Sequence, residues 1–312
     1  MAFIGVDLGG TKLAAAAFTA GGELLQRETT PLADRRGSAV GALIAAQIGK
    51  LAEHHTLDGA GVCVPGLYRA SRGTVWAPNI PGWDDYPLRD ELSSALGRDV
   101  GLTIDSDRAA YILGESWRGG AAGARDAIFL AVGTGIGAGI LTAGRVLRGH
   151  GDVAGAIGWL GLDRPYAPRY KNHGCFEDQA SGPGLVRVAR GLLDDPRYRG
   201  PLREQAGALD TGALFAAHEQ DDPIAIQVLD NAIELWGMAA ANLVSLFNPE
   251  IIVFGGGVFG PAARFLDRIR DEARRWAQPI AIEQARFVVS TLGGDAGLYG
   301  AGRLAMLGNG GA

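Results

Sequence analysis

Cysteine is nearly missing from this chain, which has two among 312 residues, Cys63 and Cys175. They could pair in principle, but nothing else in the sequence suggests an oxidising compartment, so two free thiols are expected. Long apolar runs are missing too. No stretch reaches membrane-spanning length without a Gly or charged interruption, and the N-terminus lacks the basic-then-apolar layout of a signal peptide. No membrane partner and a cytoplasmic location are therefore expected. Positive charge is also in short supply. With 29 Lys and Arg against 34 Asp and Glu the net charge is −5, which argues against a broad nucleic-acid surface.

The remaining composition is that of a globular protein, 47% hydrophobic and 20% charged, long enough for one large domain or two ordinary ones. Glycine is abundant at 49 residues and reads as concentrated in loops, which suggests several places where backbone meets ligand.

The first such place is "VDLGGTK", residues 6–12, where an apolar strand runs into Asp7, Gly9, Gly10, Thr11 and Lys12. Glycines there free the backbone to approach a phosphate with its N–H groups. A Walker loop would end in Gly-Lys-Ser/Thr, whereas Gly10-Thr11-Lys12 has the hydroxyl before the lysine. The next residues, "LAAAAFTAGGELL", read as strand and turn rather than as a phosphate-capping helix. A similar module recurs at 127–149, "AIFLAVGTGIGAGILTAGRVLRG", with Gly133, Thr134, Gly135 and Gly137 at its turn. Two such hairpins suggest a duplicated fold with a phosphate loop in each half, the alternative being an accidental likeness between glycine-rich hairpins.

Between the modules, "AVGALIAAQIGKLAEHH" is helical by its spacing, "GAGVCVPG" a buried strand, and "VGLTI" a strand leading into a helix at "DSDRAAYILGESW". "RGGAAGAR" has linker character, so a first domain is expected at 1–119 and a second at 120–295, with a C-terminal helix at about 296–312 returning to the first. Residues 149–184 are irregular and rich in Gly, Pro and aromatics, as functional loops often are. A helix from Pro223 to Phe247 is followed by "IIVFGGGVFG" and by one amphipathic helix in "PAARFLDRIRDEARRWA". Gly255, Gly257 and Gly260 satisfy GxGxxG. However, the acids about twenty residues beyond a Rossmann turn are here inside a helix (Asp267, Asp271), which argues against a dinucleotide site. Alternating strands and helices indicate an α/β architecture.

Two phosphate hairpins followed by a strand–Gly-Gly-Gly turn are the layout of actin-like ATPases and sugar kinases. The chain resembles the ROK family of bacterial sugar kinases and repressors, essentially end to end. "DLGGTK" resembles that family's first phosphate loop, "GTGIGAG" its second, and "FGGGV" its adenosine-side turn. "VPGLY", "APNIPGW" and "SGPGL" also resemble family segments. The resemblance implies an actin-like (ribonuclease H-like) duplicated fold, with two domains flanking a nucleotide and sugar cleft. It implies ATP bound by Asp7, Gly9, Gly10, Thr11, Lys12, Gly133, Thr134, Gly135, Gly137, Gly255, Gly256, Gly257 and Val258, with Asp7 acting indirectly on Mg2+.

On the substrate side it implies Gly66, Asn79, Ser106, Asp107, Ala156, Trp159 and Glu177. Asp107 matches the family's general base, although Ser and Asp at that point would serve equally as a helix cap. Ser106 stands where the family has Asn, Ala156 where it has a sugar-binding Glu, and Trp159 where it has a His that also binds zinc. Pro168 and Tyr170 fall where two zinc cysteines would be, leaving Cys175 and a nearby His173, so no structural zinc is expected. Glu177 matches the Glu that contacts the sugar ring. Trp159 could stack on a sugar or pack the loop.

The expected activity is transfer of the γ-phosphoryl group of ATP to a primary hydroxyl of a sugar or sugar-like molecule, plain glucose being a poor substrate. The alternative is a weak or inactive sugar-sensing protein. ROK-like repressors carry a helix-turn-helix before this core, which here starts at residue 3, so DNA binding is not expected. A homodimer is left open.

Overall fold

The computed structural model describes residues 2–97, 100–195, 197–198, 200–204 and 206–309, and they form two compact units. One comprises residues up to 125, 139–154 and 291 onwards, and the other residues 126–138 and 155–290.

In the first unit, β1 (Ala2–Leu8), β2 (Lys12–Phe18) and β3 (Leu24–Pro31) form an antiparallel meander. Helix α1 (Ser38–Ala52) leads to β4 (Leu57–Val64), which pairs parallel with β1. A small ribbon of β5 (Leu67–Arg69) and β6 (Thr74–Trp76) comes next, and then helix α2 (Leu88–Leu96). Strand β7 (Gly101–Ser106) runs directly into α3 (Asp107–Arg118). The sheet order is β3-β2-β1-β4-β7. β1 and β4 read as near-continuous apolar runs because both faces are covered. On one face Ile4, Val6, Val62 and Ile104 pack with Ile44 and Ile48 of α1.

The second sheet has the order β10-β9-β8-β11-β12, from β8 (Ala127–Val132), β9 (Ile136–Thr142), β10 (Arg145–Val146), β11 (Ile251–Gly255) and β12 (Arg286–Val289). The long stretch after β10, irregular by its sequence, contains a 3-10 turn at Ile157–Trp159, α4 (Tyr170–His173) and α5 (Cys175–Ala180) before α6 (Gly182–Leu193). Next come α7 (Pro201–Glu204), α8 (Thr211–His218) and α9 (Pro223–Phe247). Asp222 caps α9 by accepting the Ile224 and Ala225 amides, and Asn248, in the left-handed region at φ 44°, ends it before Pro249. The single amphipathic helix expected over 261–277 is a 3-10 turn at Pro261–Phe265 followed by α10 (Leu266–Trp276), then α11 (Pro279–Gln284).

The chain closes with α12 (Ala296–Asn309), which packs on α3, β1 and β4 of the first unit. Residues 310–312 of the expected terminal helix lie outside the described residues. The close seating of α12 corrects the reading of the glycines. A Cβ on Gly5 would come within 2.5 Å of the Gly302 nitrogen, and one on Gly61 would strike the Ala301 carbonyl. Several glycines, Gly5, Gly59, Gly61 and Gly139 among them, thus admit a helix to a sheet rather than a ligand to a loop. Among the described residues no helix is long and apolar enough to cross a membrane.

Candidate active site

In the first unit the sheet lines up three positions at the carboxyl ends of parallel strands, Asp7 beside Cys63 and Cys63 beside Asp105. The Cys63 thiol, fully buried, donates to Asp7 Oδ1 at 3.1 Å. Desolvation raises the Asp7 pKa, opposed by the thiol hydrogen bond and by Lys12. Gly297 of α12 lies against this carboxylate, where a Cβ would sit 2.5 Å from Oδ2. The turn after Asp7 is closed by Gly9, whose N–H donates to the Lys12 carbonyl at 2.9 Å. Gly10, Thr11 and Lys12 are exposed. Asn79 reaches this turn, its Nδ2 3.0 Å from where a Gly10 Cβ would be. Gly66 has φ 88° and carries the chain past the Trp76 carbonyl, a position a side chain could not share.

Asp107 is the first residue of α3, and its Oδ1 accepts the Arg108 amide at 2.8 Å. Its pKa is pushed up to about 6, chiefly by desolvation and further by Asp7, while Arg108 works in the opposite direction. Ser106 is the N-cap of α3, its hydroxyl accepting the Ala109 amide at 3.4 Å. The cap role that Ser and Asp permitted in this segment therefore falls to Ser106.

Sequence reasoning missed Arg148. Its Nε and Nη2 donate to Oδ2 of Asp105, at 2.9 and 2.5 Å, while Oδ1 of Asp105 takes the Ser106 amide at 2.8 Å. Asp105 is 5% exposed, and this pair fixes the residue next to the corner that carries Asp107. Forty-three positions separate the partners, so no local pattern could have joined them.

In the second unit, the turn between β8 and β9 is closed by the Gly133 amide on the Gly135 carbonyl (2.9 Å), and the Gly182 amide donates to the Gly133 carbonyl (2.8 Å). Gly133, Thr134, Gly257 and Val258 line one cavity of about 750 Å³, together with Arg187 and Thr211, which the sequence did not flag. Gly135, Gly137, Gly255 and Gly256 are not among its lining. A Cβ on Gly255 would strike the Phe129 ring, and one on Gly256, at φ 87°, the backbone of Val132. These two glycines make room for the strand-to-turn path.

The ROK family matches residues 3–307. The chain belongs to the ROK family. It is 34% identical to a glucokinase of Halalkalibacterium halodurans, over 97% of this chain and 94% of that one. Among solved structures it is similar to a ROK hexokinase from Thermus thermophilus, with a TM-score of 0.82, 32% identity and 98% of each chain covered. A ROK family glucokinase from Streptomyces griseus, in complex with glucose and AMPPNP, gives a TM-score of 0.74 at 30% identity, over 98% of this chain and 99% of that one. The duplicated α/β architecture read from the two hairpins is thus the actin-like fold of ROK kinases.

Of the positions in this ROK chain where the resemblance implied a departure, Ser106 caps α3, whereas Ala156, Trp159, Pro168 and Tyr170 lie in the stretch before α5. Ala156 precedes the 3-10 turn, and Trp159 at its end is 57% exposed, which leaves much of its surface open. Cys175 is buried and free, with the Gln179 amide 3.8 Å from its sulfur. Among the described residues no group of three His, Cys, Asp or Glu could hold a metal ion. The buried Asp178 accepts Arg169 Nε at 2.8 Å and Arg187 Nη1 at 2.6 Å. Glu177, half-buried, points one oxygen at the second turn, where Oε2 accepts the Ile136 amide at 2.7 Å.

Proposed function

We propose that this protein is an ATP-dependent sugar kinase that transfers the γ-phosphoryl group to a primary hydroxyl, with Asp107 as general base. The observation that carries the proposal is the state of Asp107. A carboxyl at the strand-to-helix corner, pushed up to about 6 by desolvation, is ionised at neutral pH yet basic enough to accept a proton. Phosphoryl transfer asks the protein mainly for positioning and charge stabilisation. Asp107 would take the proton of the attacking hydroxyl as the new O–P bond forms and the bond to the leaving diphosphate breaks. The exposed Gly10 and Thr11 would meet phosphate oxygens on the first unit, as Gly133 and Thr134 would on the second. Asn79, beside Gly10, would orient substrate.

Mg2+ is commonly bound through one or two carboxylates with waters and substrate phosphates filling the remaining positions. Asp7 fits that mode, whereas a cage built wholly from protein ligands does not fit the described residues. The ion would offset charge on the phosphates, and Asp7, held by Cys63 and bounded by Gly297, would orient it.

The relatives named glucokinase favour a hexose. Ala156 and Trp159 supply no carboxylate or imidazole to sugar hydroxyls, and Ser106, whose oxygen accepts the Ala109 amide, has a single O–H to donate where an Asn amide would offer a donor and an acceptor. We therefore assign the preference to a modified sugar, aminosugar or cyclitol over plain glucose. The protein would work in the cytoplasm without nucleic acid, with residues 1–119 and α12 acting as one domain.

The test is ADP release with Mg-ATP over a panel of hexoses, aminosugars and cyclitols. Sugar-dependent turnover is expected, and its absence across the panel would leave a silent sugar sensor.

A further inference from the structure

The family resemblance makes Glu177 a sugar contact, but its best-defined partner is a backbone amide of the second glycine turn. The carboxylate rises from α5, whose N-terminal residue comes directly after Gly174. Its Oε2 accepts the Ile136 N–H at 2.7 Å. Two glycines make space for it. A Cβ on Gly135 would sit 2.9 Å from Oε2, and one on Gly158 would sit 3.0 Å from both Oε2 and the Glu177 Cβ. The carboxylate thus lies between the Gly133–Gly135 turn and the Ile157–Trp159 segment, in a slot shaped for it. Its Oε1 faces His173 Nδ1 at 3.9 Å, too far for a hydrogen bond. Partial burial raises its pKa and the Ile136 amide opposes the rise, so the ionised acceptor is the form this bond favours.

We propose that Glu177 is a positioning residue for the nucleotide, holding the Gly133–Gly135 turn in its phosphate-receiving shape even when no sugar is bound. The turn has two other ties, Gly133 N–H to the Gly135 carbonyl and Gly182 N–H to the Gly133 carbonyl. The second fixes its entry, and the first joins entry to exit, because the Gly135 carbonyl and the Ile136 N–H belong to one peptide unit. Glu177 takes the other side of that unit, so it and the start of β9 set the orientation in which the exit is held. A carboxylate near a phosphate site also repels the phosphates, so its charge and its tie act in opposite directions on nucleotide binding. Two variants separate them. Glu177→Gln removes the charge and keeps an oxygen for the Ile136 amide. Glu177→Ala removes both.

The inference rests on the kinase reading for the identity of the turn's ligand. The experiment measures Mg-AMPPNP affinity in sugar-free wild type and both variants, with amide hydrogen exchange at Ile136 monitored without nucleotide. Glu177→Ala is expected to bind roughly 5- to 20-fold more weakly and to exchange faster at Ile136, as loss of one charge-assisted bond implies. Glu177→Gln should bind at least as well as wild type. Should the alanine variant fail to fold, Glu177→Asp, which keeps the charge but is one methylene too short to reach the Ile136 amide, takes its place with the same expected loss and the same refuting result. A loss of tenfold or more with Gln would mean the charge and not the tie matters, and would overturn the proposal. Equal nucleotide affinity in wild type and the alanine variant would reduce Glu177 to a sugar contact and overturn it too. If wild type binds no nucleotide, the kinase reading falls and this one with it. If wild type binds and the alanine variant binds equally, only this one falls.

Discussion

Replacing Asp107 with Asn should make the protein more stable and nearly inactive, and both effects follow from one number. In the folded chain the Asp107 pKa is pushed from 3.8 to about 6 by desolvation. A group whose folded pKa lies above its unfolded value favours folding in full only while protonated. That contribution is present below about pH 4 and is lost as pH rises through about 6. The displacement corresponds to roughly 3 kcal/mol, and solvent reaching a half-buried group reduces it to about 1–3 kcal/mol. Asn does not titrate and can still accept the Arg108 amide through its Oδ1. Urea unfolding of both proteins at a series of pH values should show the variant gaining on wild type between about pH 4 and pH 7, then holding its lead. Wild-type turnover should rise with pH through about 6, while the variant should show no such rise at roughly 10²- to 10⁴-fold lower rate. A stability difference flat across this range would refute the desolvated-base argument. Full turnover by the variant would make Asp107 a structural residue only.

Arg148→Ala should lower stability by about 1–3 kcal/mol, because it leaves the buried Asp105 carboxylate short of its cation, and Arg148→Lys should recover part of this; an unchanged urea midpoint would show the pair to be idle. Gly61→Ala should cost about 3 kcal/mol or more, or prevent folding, since its Cβ meets the backbone of α12; a melting temperature within a degree or two of wild type would mean the helix can retreat freely. Elemental analysis should find no stoichiometric zinc, and chelators should leave the melting temperature unmoved; one zinc per chain would contradict this. In the substrate panel glucose should not have the highest kcat/KM, given about 1–3 kcal/mol for each lost hydroxyl partner; if it has, other groups make those contacts.

What the sequence made legible was what short-range pattern carries. "VDLGGTK" announced strand, turn and strand because its glycines interrupt an apolar run, and Phe3–Leu8 does pair with Leu13–Phe18 across that turn. Asp107 was legible because a strand ending in small polar residues before a helical run makes a corner. Long-range partners were not. Nothing near Asp105 points to Arg148, and nothing near Glu177 points to a backbone amide 41 positions away. Helix α5 escaped because six residues carry too little periodicity to be told from a loop. The glycines misled for a different reason. A glycine has no side chain, so Gly61 under α12 and Gly10 in a turn look the same until the neighbouring backbone is known.

The two hairpin turns share a construction that bears on the chemistry. In each, the amide of the first glycine closes the turn, Gly9 onto Lys12 and Gly133 onto Gly135, and the next residues, Gly10 and Thr11 or Thr134 and Gly135, are exposed. A closed turn of this kind presents backbone and a threonine outward without needing a helix behind it, which is why the Walker order is unnecessary. The copies differ two residues before the first glycine, where one has Asp7 and the other Ala131. Asp7 is held by the Cys63 thiol and bounded by Gly297, and on the proposed function a cation would stand between it and the phosphates. At the second turn the nearby acid, Glu177, has an oxygen bound to an amide instead. Duplication therefore accounts for the scaffold of the two turns, and the acids beside them are held differently, Asp7 by a thiol and Glu177 by a backbone amide.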